Sequence, residues 1–213
     1  MHMIWRWMVL GGFLGSLLVG RHVWAAPAGD PREQIRQTVE VVLTVLRNPA
    51  LQGSEHATER RAKLRQAVFQ RFSFTEMARR ALGPHWRQRT PAERQEFVTL
   101  FSDLLEDAYL DKIESYTGEQ HVQYTKETID QDGYAQVDTD IVSKHGLHVE
   151  VDYRLLQRDG TWQVYDVVID GVSLVNNYRT QFNTIIMRES YGALVKRLKL
   201  KHTQEQAIAP TRG

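Results

Sequence analysis

Cysteine is absent from this chain. That excludes a disulfide framework, thiol catalysis and any Cys-based metal site, so stability has to come from a packed core. Histidine is present but unhelpful to a metal: His85, His121, His145 and His148 show no ligand spacing such as H-x-x-x-H. Long hydrophobic runs are scarce too. Met8 to Val19 is apolar but only twelve residues long, short of the about 20 that span a bilayer. With Arg6 before it and Val23-Trp24-Ala25 after it, it reads as the core of a signal peptide over residues 1–25, cleaved after Ala25 with Ala26 or Ala28 as alternatives, the competing reading being an uncleaved N-terminal anchor. No cysteine follows to accept a lipid.

Basic excess is missing as well. Of 27 basic and 26 acidic residues, the leader takes Arg6 and Arg21 and no acid, which leaves 25 against 26. A mature chain near −1 is not a nucleic-acid binder. Three of the five tryptophans fall in the leader, leaving Trp86 and Trp162 for the fold. The remaining residues, 26 onward, suffice for one domain, expected over 26–202, with 203–213 read as a disordered tail.

Asp30-Pro31-Arg32-Glu33 opens a helix: Asp caps, Pro takes the first helical position, Glu the third. Ile35, Val39, Val42, Leu43 and Leu46 then recur at helical spacing until Asn48-Pro49. A second helix is expected over about Glu59 to Gln70. Phe72 to Met77 carries a capping-box pattern (Ser73, Glu76) inside a hydrophobic staple (Phe72, Met77), and Gly83 reads as a left-handed terminator. Thr90-Pro91-Ala92-Glu93 repeats the capping logic ahead of a long helix ending near Gly118, with a wide stripe of Phe97, Phe101, Leu104, Leu105, Ala108, Tyr109 and Ile113.

After Gly118 the period changes to two. Four alternating runs follow: Val122 to Ile129, Ala135 to Ile141, Leu147 to Leu155 and Trp162 to Asp170, with turns at Gln131-Asp132-Gly133, Lys144-His145-Gly146 and Arg158-Asp159-Gly160. Short turns between alternating strands predict an antiparallel meander. In the last strand Val167 and Ile169 stand opposite Val164 and Val168, so it reads as apolar on both sides and central, or facing a ligand. A final helix begins near Ser173, with Leu174, Val175, Tyr178, Phe182, Ile185 and Ile186 as its stripe and Gly192 as a bend. The predicted class is α+β: helices packed on one curved four-stranded antiparallel sheet enclosing an apolar cavity.

Three groups of residues carry a resemblance: Phe72 to Gly83 (FSFTEMARRALG); Trp86, Thr90-Pro91 and the Phe97/Phe101/Leu104/Leu105/Tyr109 helix; and Tyr165-Asp166-Val167 through Gly171-Val172-Ser173-Leu174-Val175-Asn176-Asn177-Tyr178-Arg179 to Gln181-Phe182. Over about residues 30–200 the chain resembles the MlaC family, also called Ttg2 toluene-tolerance proteins. Ser73 stands where the family usually has Asp. The resemblance implies a periplasmic phospholipid carrier, not an enzyme. It would exchange cargo with an outer-membrane lipoprotein–porin complex and an inner-membrane ABC transporter bearing an MCE ring, and so serve outer-membrane lipid asymmetry. Relatives in hopanoid gene clusters leave a different lipid open as cargo. No cofactor, metal or nucleic acid is expected, and the expected state is a monomer.

The physics suits that role. Each methylene removed from water is worth about 0.8 kcal/mol, so two sixteen-carbon chains cost on the order of 25 kcal/mol in water. A carrier needs only a cavity nearly as apolar as the membrane. Candidates for lining it are Phe97, Phe101, Leu105, Tyr109, Val151, Tyr153, Val167, Ile169, Val172, Leu174, Val175, Tyr178 and Phe182. The plainer reading of each is ordinary core. Tyr153, Tyr165 and Tyr178 offer phenols to a headgroup or ester. Arg179 is the headgroup candidate, or else an ion-pair partner of Asp166 or Asp170. Asn176-Asn177 would organise the strand-to-helix junction. Asp138, Asp140, Glu150 and Asp152 read as a solvated sheet face, and Lys196 to Lys201 as a solvated basic tail. The rival reading is a small-molecule isomerase or dehydratase on a cone-shaped α+β fold, pairing Tyr153 or Tyr165 with a carboxylate of raised pKa.

Overall fold

A computed structural model describes residues 29–116, 119–143, 146 and 148–208, with backbone alone for 205–208. The signal peptide, Gly118, most of the Lys144–Gly146 turn with Leu147, and residues 209–213 lie outside the described residues.

The N-terminal half is helical: α1 (Pro31–Arg47), α2 (Ala57–Arg71), α3 (Phe74–Leu82) and α4 (Pro91–Glu114), with 3₁₀ turns at Pro49–Leu51, Ser54–His56 and Gly83–Gln88. Two starts follow the sequence signals. Asp30 accepts from the Glu33 amide, and Thr90 and Glu93 form a reciprocal capping box. The third start does not. Ser73 makes no side-chain cap to α3. Its amide instead donates to the Val164 carbonyl at 2.8 Å, and Glu76 is taken by Arg79 and Arg80.

Next comes a meander of β1 (His121–Ile129), β2 (Tyr134–Val142), β3 (His148–Arg158), β4 (Thr161–Ile169) and β5 (Val172–Ser173), all antiparallel and in sequence order. The sheet has five strands, not four. After the turn at Gly171, Val172 and Ser173 fold back to pair with Ile169 and Val168. That makes β4 the penultimate strand rather than a central one, and Val172 an exposed edge residue.

The register explains the two apolar sides of β4. Arg154 pairs with Asp166 but Leu155 pairs with Val164, so Tyr165 is an extra, bulged residue. Beyond a bulge the alternation changes phase. Val164 and Val167, three apart, therefore enter the same apolar cluster with Leu155 and Val151 instead of facing opposite ways.

The last helical stretch is two helices, α5 (Leu174–Arg188) and α6 (Tyr191–Ile208). The break falls at Glu189 and Ser190, not at Gly192: the Ser190 hydroxyl caps the Ala193 amide at 3.0 Å. Nor is the basic run a solvated tail. Leu194 and Leu198 are buried, Lys199 pairs with Glu96 at 2.7 Å, Arg197 pairs with Glu189, and helix continues through 203–208. No helix among the described residues is long and apolar enough to cross a membrane.

Candidate functional site

Two apolar regions lie side by side under the helices. The first is solid. On the N-terminal half of α4, Phe97 and Phe101 are fully buried and stack at 5.9 Å. Phe182 meets both edge-on at 5.7 Å, and Tyr178 meets Phe101 edge-on at 5.5 Å. Met77, Ala78, Val175 and Leu194 also belong to this cluster, as does Leu105, which lines the second region too. Phe97, Phe101, Val175, Tyr178 and Phe182 do not line the cavity; rings of matching shape consume the space between α3, α4, α5 and α6.

The second is a cavity of about 360 Å³. Its wall comes from α1 (Ile35, Val39, Val42, Leu46), α2 (Val68, Phe69), the segment before and within α3 (Phe72, Phe74, Met77), the C-terminal half of α4 (Leu105, Tyr109, Ile113, Tyr116) and the sheet (Val122, Ile141, Val149, Val151, Tyr153, Val167, Ile169), with Leu174 beside them. Of the residues singled out by sequence, Leu105, Tyr109, Val151, Tyr153, Val167, Ile169 and Leu174 are brought together here. The contributions of α1 and α2 were missed. The α1 stripe was visible, but nothing along the chain tells a stripe that meets a void from one that meets a neighbour. The last helix, expected to wall the cavity, gives it only Leu174.

The charged side chains of the lining are Arg65, Arg71, Glu106 and Lys112. Arg65 pairs with Glu106 at 2.9 Å. Burial raises the Glu106 pKa, against the pull of Arg65. The Lys112 ammonium lies 5.0 Å above the Tyr109 ring. Arg71 reaches the Trp162 carbonyl at 3.0 Å, and burial lowers its pKa. Four ion pairs tie α2 to α4: Arg60–Glu114 at 3.0 Å, Arg61–Glu114 at 2.8 Å, Arg61–Asp111 and Arg65–Glu106.

The phenols are set for packing. Burial pushes the Tyr153 hydroxyl far above its usual range, and pushes Tyr178 up to about 12, with the neighbouring Tyr109 and a hydrogen bond between the two adding to it. Tyr165 lies elsewhere, under the Arg80 guanidinium at 4.0 Å and edge-on to Tyr134. Neither Tyr153 nor Tyr165 hydrogen-bonds a carboxylate among the described residues, and Glu106 is the one carboxylate among the lining side chains. The acid–phenol pair of the enzyme reading is therefore not assembled.

Arg179 is not at the cavity. It lies against Gly83 in a separate cleft and pairs with neither Asp166 nor Asp170. Asp166, buried, organises the strand-to-helix junction instead: it accepts from the Val175 amide at 3.1 Å, the Ser173 hydroxyl at 2.7 Å and Arg154 at 3.1 Å. Ser173 caps the Asn176 amide at 3.0 Å, so Asp166 and Ser173 do the work expected of Asn176-Asn177. On the outer sheet face, Asp138 pairs across with Asp152 and Asp140 with Glu150. Burial and these like charges raise the Asp152 pKa. No group of metal-ligating side chains forms among the described residues.

Helices on one face of an open antiparallel meander, with an apolar cavity between the layers, define the class: an α+β fold built around a cavity. The sequence matches the MlaC protein family over residues 36–200, and the chain belongs to that family. A solved phospholipid-binding protein from Ralstonia solanacearum, in complex with a phospholipid, is similar with a TM-score of 0.74 and 27% identity, covering 83% of this chain and 99% of that one. The intermembrane phospholipid transport system binding protein MlaC of Haemophilus influenzae is 20% identical over 128 residues, 59% of this chain. The match spans 60% of the length of that curated relative.

Proposed function

We propose that this protein is a non-catalytic, periplasmic carrier that holds a phospholipid, or a related lipid such as a hopanoid, by its acyl chains in the cavity between α1, α2, α4 and the sheet. The observation that carries the reading is the cavity itself: about 360 Å³ walled almost wholly by aliphatic and aromatic carbon. Family membership and the phospholipid complex of the structural relative support it.

The chemistry is transfer without bond making. Left unfilled, a void of this size forgoes on the order of several kcal/mol of contact energy, which acyl chains restore. Apolar walls make lipid in the cavity nearly isoenergetic with lipid in a bilayer, so direction is set by the docking partners. Those partners would be an inner-membrane MCE/ABC transporter and an outer-membrane lipoprotein–porin complex, visited by a monomer. No cofactor takes part; the lipid is cargo. Leu105, Tyr109, Val151, Tyr153, Val167, Ile169 and Leu174 would contact the chains, and Arg65 and Lys112, cationic members of the lining, would be candidates to meet the phosphate.

Native mass spectrometry of protein recovered from the periplasm, with lipid extraction of the same sample, tests this. A stoichiometric mass excess that fragments to a phospholipid is expected. A bare mass that stays bare after incubation with vesicles overturns it.

A further inference from the structure

A second concavity, of about 640 Å³, opens where the end of α3 meets α5. It is lined by Arg79, Arg80, Arg87 and Arg179 with Gly83 and Trp86. Four arginines line it, three from residues 79–88 and one from α5, in a chain whose basic and acidic residues otherwise nearly balance. Their one carboxylate is the buried Glu76 beneath Arg79 and Arg80, at 2.8 and 2.6 Å. Arg87 and Arg179 are exposed and meet no carboxylate among the described residues. Gly83 makes the approach possible: with φ at +55°, a Cβ there would come within 3.0 Å of the Arg179 Nε. Arg80 is further fixed by stacking on Tyr165 at 4.0 Å. Two arginines are thus held in place and two stand uncompensated in the same cleft.

We propose that this cleft is a docking site for a carboxylate-rich segment of a partner protein. Three observations favour that occupant. No residue of the cleft lines the lipid cavity, so its anion is not the cargo's headgroup and both sites can be filled at once. The four arginines line one concave cleft, and their charge complements a chain segment that carries several carboxylates. Arginine forks bind carboxylates in bidentate fashion, and like-signed clefts steer acidic partners in by raising the association rate.

The test is fluorescence anisotropy with a fluorescein-labelled octaglutamate peptide, run on lipid-loaded protein at low and high salt. Saturable binding is expected, weakened about tenfold or more by Arg87→Gln with Arg179→Gln and weakened strongly by salt. The exposed Arg158→Gln should leave it unchanged. Should the double variant fail to fold, Arg87→Gln alone, whose side chain makes no hydrogen bond or ion pair among the described residues, gives the same direction of change. Lipid content of the same samples, read by mass spectrometry, should not move, which separates this site from the cargo reading. Absence of saturable binding, equal weakening by Arg158→Gln, or binding of inorganic pyrophosphate or phosphatidylglycerol vesicles but not of the peptide would each overturn the proposal.

Discussion

Helix α4 runs through two apolar environments that look alike in sequence and behave oppositely in space. Its first half places Phe97 and Phe101 in a solid, aromatic core shared with α3, α5 and α6. One turn further on, Leu105 and Tyr109 face a void. The difference lies in the partners. Phe182, Tyr178 and Tyr191 supply rings that interlock with the phenylalanines. On the other side, between the sheet, α1 and α2, the facing side chains leave about 360 Å³ unfilled even with Phe69, Phe72 and Tyr153 among them. Interlocked rings make a structure that tolerates little; an unfilled cavity leaves room for change.

Substitutions can break that contrast. The largest effect is expected from Phe101→Ala, which should cost about 3–5 kcal/mol because its neighbours cannot collapse into the space. Leu105→Ala, four residues on, should cost only about 1–2 kcal/mol, since one side of Leu105 already lacks partners. Urea unfolding of lipid-free protein reads both, and equal costs would mean that the cavity closes in solution. Asp166→Ala should follow at about 2–3 kcal/mol, through loss of the α5 cap and of charged hydrogen bonds at the junction between the two regions. A change below about half a kcal/mol in the same assay would refute that role.

Enlargement should sort the regions the other way. Val151→Phe, pointing at the void, is expected to be nearly neutral for stability while cutting the lipid recovered with the protein. Ala78→Phe, in the solid core, should cost about 1–3 kcal/mol. Unchanged lipid content in Val151→Phe would remove that strand from the cargo site. The smallest effect concerns Glu76 at the base of the arginine cleft. Burial alone would raise its pKa, but hydrogen bonds from Arg79 and Arg80 win and lower it below 4.5. A carboxylate with a lowered folded pKa adds stability that is present above its unfolded pKa and lost as pH falls through the folded one. Glu76→Gln should therefore flatten the acid limb of stability below about pH 4.5, and an unaltered limb would show that the arginines do not hold it.

Much of this was legible along the chain. Asp30-Pro31 and Thr90–Glu93 announced their helices because a cap is a contact between neighbours in sequence. The strands announced themselves because alternation is a property of one strand on its own. Glu76 misled, since a capping box and an i,i+3 or i,i+4 pair with arginine compete for the same carboxylate. Which one forms depends on Val164, a residue 88 positions away from Glu76 that takes the Ser73 amide.

The sequence by itself determined the order of elements, their amphipathic faces and the family signature around Gly171–Phe182. Tertiary structure alone decided that the α4 stripe is half filled and half open. It also decided that the bulge at Tyr165 turns Val164 and Val167 to one side, and that Arg79, Arg80, Arg87 and Arg179 share a hollow. A stripe records only that a face is apolar. Whether that face meets a complementary ring, an empty space or a like charge depends on several elements at once, so it is settled only when they pack.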